Sequence, residues 1–327
     1  MLRYIKLTLS ATALLLTSAC SQNELQGEVT VLRLGHTLDT QHSVHKAMEY
    51  LGERLDYYSD GTMSVVIYPS SQLGTEREMV ELLQIGSLAM TKVSASPLEG
   101  FAPEMKIFSI PYIFRDNEHF WRVLNSDLGD ELLSGVEDFL LKGLGYYDAG
   151  SRSFYTNDKP IETPSDLNGL KIRVLNSPTA VATVRALGGA ATPVAWGELY
   201  TALQQGVVDG AENNPPSYYL SRHYEIARYY SLDEHTSVPD VMLASLPVWE
   251  SLNEQQRTWL TKAMEDSVEY QRELWKTSTQ ASLEKVKAEG VTVITPDKAP
   301  FVEAVKPFHK SFENTPIGDL ITQIKAM

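Results

Sequence analysis

Cysteine is nearly missing: one residue, Cys20, in a chain of 327. No disulfide can form within such a chain, and a protein of this length has core enough to do without one. Positive charge is also scarce, with 28 Lys and Arg against 42 Asp and Glu and a formal net charge of −14. That balance argues against nucleic acid and against anionic lipid surfaces as partners. An acidic protein that holds an anion must do so with a few locally placed donors. Catalytic signatures are missing as well. There is no Gly-x-Ser-x-Gly elbow, no phosphate loop and no His-Glu-x-x-His, and Gly188-Gly189 is not a dinucleotide fingerprint. Carboxylates are plentiful, but nothing pairs a general acid with a base. No cofactor and no metal are expected; His42 and His45 lie three apart with no third ligand in register.

A run of apolar residues long enough for a membrane span is absent too. Leu7–Ala19 is too short, and it follows Arg3 and Lys6, which fits a secretory signal over residues 1–20. The one cysteine falls at its end. Leu16-Thr17-Ser18-Ala19-Cys20 resembles a bacterial lipoprotein cleavage site, with Thr17 where that pattern usually has Leu. Lipid on Cys20, and so a membrane anchor, is one reading. Ordinary cleavage near Ala19 is the other.

What remains is ordinary for a soluble globular chain, with 43% apolar and 21% charged residues. Its length is too great for one simple core and fits two domains. Strands are expected at 29–35, 63–68 and 87–94, with helices between them, one near 43–58 and one opened by the capping box Thr75–Glu78. This alternation means βαβ units and mainly parallel sheets flanked by helices. Segment 144–155 reads as a strand crossing between domains. From Asn253 to Glu289 there is no proline or glycine. Some 36 helical residues at ~1.5 Å each reach ~55 Å, more than one small domain, so this helix spans both. The expected division is 28–150 plus about 238–278 for the first domain, and 151–237 plus about 279–327 for the second.

The chain is organised around 171–219. Ile172 and Val174 alternate with Lys171 and Arg173, a strand with one buried face and Arg173 on the other. Ser177 caps a helix that opens at Pro178. Val207-Val208 starts another strand, which runs into the polar cluster Glu212-Asn213-Asn214 before Pro215-Pro216 stops the backbone. An arginine on a strand and an amide cluster on a loop, joined by βα units, suit an anionic, hydroxylated ligand. A guanidinium matches a carboxylate with paired N–H groups, as a lysine cannot. Arg152, among Gly150, Ser151 and Ser153, is either a second clamp or a surface ion pair. Lys92 is a solvated strand end or a donor at a cleft, and Asp240 a turn residue or an acceptor for hydroxyls. His36 stands at the end of the first strand, where ligands sit in open α/β sheets. Glu76 lies in the first turn of the helix after Thr75. Trp196 is expected to pack in the core rather than wall a ligand.

Segments 171–178 and 192–216, with Tyr68–Gly74, Ile110-Pro111-Tyr112 and Gly150-Ser151-Arg152, resemble the motifs of the substrate-binding proteins of TRAP transporters, in the same order. These are periplasmic receptors that pass organic acids to a sodium-driven membrane permease. The resemblance covers nearly the whole chain after residue 27. It implies a two-domain, type II-like binding protein with a hinge cleft and a long helix along its back. It also implies a periplasmic location in a Gram-negative bacterium, a permease partner and no catalysis. Arg173 would fix the ligand carboxylate with help from Arg152. Asn213 would contact the ligand, and Glu212, Asp240, His36, Glu76 and Lys92 would meet its hydroxyls. The forms around Arg152 and Asn213, with His36 and Asp240, look like the branch that takes hexuronates. Small organic acids, or an exported lyase using Arg173 with His36 or Glu212 as base, are the competing readings.

Overall fold

The computed structural model describes residues 29–327; the expected signal segment and Cys20 lie outside the described residues. Two sheets organise two lobes. The first holds β1 (Thr30–Gly35), β2 (Met63–Tyr68), β3 (Met90–Ser94), β4 (Leu141–Tyr147) and β10 (Asp240–Ser245), in the order β2-β1-β3-β10-β4. The second holds β5 (Ser151–Thr156), β6 (Lys171–Val174), β7 (Ala190–Pro193), β8 (Gly210–Asn213), β9 (Tyr229–Ser237) and β11 (Thr292–Ile294), in the order β11-β9-β5-β8-β6-β7. The pairs β1–β2, β1–β3, β6–β7 and β6–β8 are parallel, as crossover helices require. The sheets become antiparallel where β10 meets β3 and β4 and where β5 meets β8 and β9. Those are the strands that carry the chain between lobes, so each sheet is mixed.

Apolar side chains cover both faces of each sheet. In the first lobe, Leu34, Met48, Met90 and Met264 fill one side and Met79, Phe108, Val241 and Leu243 the other. In the second, Tyr155, Tyr218 and Tyr230 lie opposite Phe154, Ile172 and Phe301. The long helix Glu254–Ala288 opens on an Asn253–Gln256 capping box and buries residues from Leu260 to Val286, so it serves both lobes.

Several elements depart from the sequence-based expectations. Pro215-Pro216 opens the helix Pro215–Leu220 under an Asn214 cap, because proline is tolerated where the N–H would be free anyway. The strand expected from Val207 begins at Gly210, and β9 gave no clear alternation. Segment 144–155 is two strands in two sheets, broken at Asp148–Gly150. The tail 279–327 does not stay with the second lobe. Helix Pro316–Ala326 returns to the first, where Ile321 and Ile324 join the cluster around Phe108. Carbonyls near its end accept from His119, Arg115 and Arg122.

The crossing at Asp148–Gly150 is held firmly. Gln271 on the long helix accepts from Asp148 N at 2.7 Å and donates to Asp148 O at 2.8 Å. Trp121 Nε1 donates to Asp148 Oδ2 at 3.0 Å. Gly150 has φ +59°, and a Cβ there would meet Trp275 Nε1 at 3.1 Å. Gly150→Ala is therefore expected to lower stability by about 1–3 kcal/mol, read as a fall in Tm of several degrees.

Candidate functional site

Between the lobes lies a cavity of about 320 Å³. The ends of the parallel strands supply its walls, as in other open α/β sheets. From the second lobe, three neighbouring strands converge. Ser153 on β5 is opposite Asn213 on β8, and Ala211 on β8 is opposite Arg173 on β6. That register puts Asn213 and Arg173 on one face of the sheet; Arg152, one residue before Ser153, starts from the other face beside Glu212, and its guanidinium reaches the cavity at the strand end. From the first lobe come Thr37, His42, Glu76, Lys92 and Ser94, with Asp240 at the start of β10.

The two arginines share a wall but not a state. Arg152 donates through Nε and Nη2 to the Glu212 carboxylate, again through Nη2 to Glu212 O at 2.8 Å, and through Nη1 to Asn213 Oδ1 at 3.0 Å. Of its five N–H groups one remains free. Burial alone would lower its pKa, but Glu212 more than offsets that and raises it. Arg173 is 1% exposed, so neighbours cover the strand face that alternation left open. Its Nε donates to Val194 O at 2.9 Å, and the Trp196 ring lies 5.8 Å from its guanidinium carbon. Nη1 is buried with no hydrogen-bond partner. Burial pushes the guanidinium below the ordinary arginine value.

Behind Arg152 the charges form a closed set. Glu212 is buried; desolvation would raise its pKa, yet Arg152 and His235 hold it near 2. His235 Nδ1 donates to Asp233 Oδ2 at 2.8 Å, its Nε2 lies 3.7 Å from Glu212 Oε2, and its ring stacks on Phe154 at 4.3 Å. Burial would keep this imidazole neutral, but the two carboxylates raise it to about 9.

On the opposite wall Lys92 Nζ lies 3.1 Å from both Glu76 Oε1 and Asp240 Oδ1. Ser94 donates to the same two carboxylates, from N to Glu76 at 3.1 Å and from Oγ to Asp240 at 3.0 Å. Burial lowers the lysine's pKa, and the pair of carboxylates reverses this to a net rise. This wall thus holds two acids around one ammonium, and it also carries Arg77, whose Nε lies 3.1 Å from Glu81 Oε1.

Of the residues expected at the site, Arg173, Arg152, Asn213, Asp240, Glu76 and Lys92 line the cavity. Glu212 and His36 do not. Glu212 is drawn beneath Arg152 by its ion pair. His36 is fully buried, with Nε2 2.9 Å from His45 Nδ1, and burial depresses its pKa to about 2. The histidine at the wall is His42, which caps helix Ser43–Ser59 and reaches Ser217 Oγ at 3.3 Å. Trp196 is half-buried and does both jobs, packing on core residues and walling the cavity. Among the described residues no group of three or more His, Cys, Asp or Glu could hold a metal ion.

The description "Bacterial extracellular solute-binding protein, family 7" (DctP) fits residues 34–315. The chain belongs to this family. A TRAP periplasmic solute-binding protein from Xanthobacter autotrophicus Py2, solved with bound β-D-galacturonate, is 40% identical. It has a TM-score of 0.87, over 90% of this chain and 99% of that one. One from Pseudomonas putida F1, solved with D-glucuronate, is 33% identical with a TM-score of 0.88, over 91% and 97%. A third, from Polaromonas sp. JS666 and bound to D-erythronate, is 30% identical with a TM-score of 0.89, over 91% and 99%.

The His235 geometry gives a pH prediction. Its pKa in the folded protein lies above the ordinary 6.5, so its stabilising contribution is complete below pH 6.5 and is lost as the pH rises to about 9. The wild-type unfolding free energy is expected to decline across that window. In His235→Gln the decline should flatten, as measured by chemical denaturation at a series of pH values.

Proposed function

We propose that this chain is the extracytoplasmic receptor of a TRAP-type transporter, that its cleft takes a hexuronate such as glucuronate or galacturonate, and that it delivers this ligand to a membrane-embedded permease. The observation that carries the ligand class is Arg173 Nη1, a buried guanidinium nitrogen without a partner at the cavity wall. A buried charge with free donors is costly until an anion meets it. The ligand carboxylate is assigned to Arg173, with the last free N–H of Arg152 and the amide of Asn213 beside it. The opposite wall argues against a second carboxylate on the ligand. Glu76 and Asp240 share Lys92 there and Arg77 is paired with Glu81, so the two acids suit hydroxyls instead. The bound hexuronates of the Xanthobacter and Pseudomonas neighbours agree with this chemistry.

Binding without turnover is what membership of a solute-binding family supports. The two residues that a lyase reading named as base, His36 and Glu212, do not reach the cavity. The periplasm is the location that fits a secretory signal on a family 7 protein, and Cys20 is the assigned position of a lipid anchor. None of the described helices is long and apolar enough to cross a membrane.

One observation favours a second ligand, a four-carbon sugar acid: the Polaromonas neighbour holds D-erythronate. A thermal-shift panel of glucuronate, galacturonate, erythronate, succinate and the neutral parent sugars separates the two. Ligand at 100 times its dissociation constant adds about 2.7 kcal/mol of stability. Shifts are expected from the hexuronates, not from glucose, galactose or succinate. Shifts from erythronate alone would replace the hexuronate with the smaller acid, and silence would overturn both.

Arg173→Ala tests the clamp itself. Affinity should fall about 100-fold, the equivalent of the ~3 kcal/mol of a strong charge-assisted bond. The ligand-free Tm should stay level or rise, because the substitution removes an unpaired buried charge. Unchanged affinity in calorimetry would sink the clamp.

A further inference from the structure

Glu99 belongs to the first lobe, one residue past the short helix Ala95–Leu98 that follows β3. Its carboxylate does not serve its own lobe. Oε1 accepts from Ser177 Oγ at 2.9 Å and from Thr179 N at 2.9 Å, both at the start of helix Pro178–Ala186 in the second lobe. The helix depends on this acceptor. Pro178 has no N–H, Ala180 N donates to Ser177 Oγ, and Val181 N donates to Ser177 O. Thr179 N is the first-turn donor that the second lobe leaves unmet, and a carboxylate at a helix N-terminus is also favoured by the helix dipole. Glu99 is 8% exposed, so its charge is out of water.

The position of this contact gives it a role beyond packing. Pro97 and Asn176, close in sequence to its two sides, line opposite walls of the ligand cavity. Arg173 stands four residues before Ser177, on the strand that feeds the capped helix. The strand-to-helix unit that carries Arg173 meets the first lobe at Glu99, through Ser177 and Thr179, and again one turn on, where Thr183 Oγ1 donates to Ser109 O at 2.9 Å. A rotation that parts Pro97 from Asn176 stretches the Glu99 bonds. Beyond roughly 3.5 Å they cease to be hydrogen bonds.

We propose that Glu99 is a positioning residue for ligand retention: it docks into the N-terminus of helix Pro178–Ala186 when the lobes close, and this contact slows ligand release without touching the ligand. The inference rests on the receptor reading and deepens it. A hinge-bending receptor is held shut by its ligand together with lobe-to-lobe contacts that only the closed form makes. Glu99 supplies such a contact one short loop away from the carboxylate clamp.

The test is stopped-flow and calorimetric binding of D-glucuronate and D-galacturonate to wild type, Glu99→Ala and Glu99→Gln, with the ligand-free Tm of each. Glu99→Ala is expected to weaken binding about tenfold, almost wholly through a faster off-rate. The on-rate and the ligand-free Tm should stay near wild type. Glu99→Gln, which keeps one acceptor oxygen, should recover part of the loss. Thr179→Pro deletes the N–H partner while keeping a helix start of the Pro-Pro type that this chain already uses at Pro215-Pro216. It should speed release in the same way, and in the double variant with Glu99→Ala the two effects should not add. An unchanged off-rate in Glu99→Ala and Thr179→Pro overturns the proposal. So does a lowered ligand-free Tm with unchanged affinity, which marks a fixed structural contact. Absence of binding by wild type to either acid overturns the hexuronate reading instead, and this proposal falls with it.

Discussion

A guanidinium buried between two lobes without a counter-ion is the constraint on which the rest of the molecule depends. Arg173 is in the protein interior with one main-chain partner for Nε and none for Nη1. Left alone, such a group is a net cost to folding. The fold supports it with a sheet covered on both faces and with a strand short enough that Arg173 is its last residue but one. The neighbouring Arg152 shows the alternative. It has the same side chain and is buried too, but Glu212 takes three of its bonds, two at the carboxylate and one at the main-chain oxygen. That arginine is largely satisfied before any ligand arrives, whereas Arg173 is open. The division of labour between scaffold and receptor lies in Glu212.

Strand order makes this possible. β5, β8 and β6 are neighbours; their register fixes Asn213 against Arg173, and the bond from Arg152 to Asn213 Oδ1 ties the second guanidinium to them at the strand end. A site built on strands is held more closely than one built on loops. The same strands lead to the hinge, since β5 follows the crossing at Asp148–Gly150 and β9 runs directly into β10. The residues proposed to hold the ligand and the segments that cross between lobes are therefore a few positions apart. Gln271 and Trp275 on the long helix brace the crossing from behind.

Much of this was legible in the sequence, and what was not has physical causes. Arg173 stood out because a charged residue between Ile172 and Val174 on a short strand demands a reason. The long helix was legible because the 37 residues from Asn253 to Glu289, without glycine or proline, leave few other conformations. Position along a strand, however, says where a side chain starts, not what it meets. Glu212 was expected at the ligand because it adjoins Asn213. On a strand, adjacent residues face opposite ways, and its carboxylate turns to Arg152 and His235. His36 was expected for its place at the end of β1, but the same alternation turned it inward to His45 and left His42, a helix cap, at the wall. β9 was missed because charged side chains fill its inner face. Asp233 and His235 neutralise each other there, and a pattern of apolar and polar residues cannot show such a pair. The return of Pro316–Ala326 to the first lobe rests on contacts more than 200 residues distant in sequence, beyond the reach of local periodicity.

The electrostatics of the two walls carry the argument to motion. The second lobe brings two guanidinium groups to the cavity, and only one has an ionic partner. Closing the lobes without ligand removes water from Arg173 and gives nothing in return. A ligand carboxylate reverses that balance, because it supplies the missing partner at the moment water leaves. In the proposed pose the ligand's hydroxyls face Glu76 and Asp240, which share Lys92, and its acid end lies toward the second lobe. A neutral sugar satisfies one wall and leaves Arg173 bare. In the same pose a dicarboxylate satisfies Arg173 but brings its second charge to two carboxylates that share Lys92, with Arg77 already paired to Glu81. A molecule with one acid end and a hydroxylated body meets both walls, so the proposed pairing would orient the ligand, select it and favour the closed form.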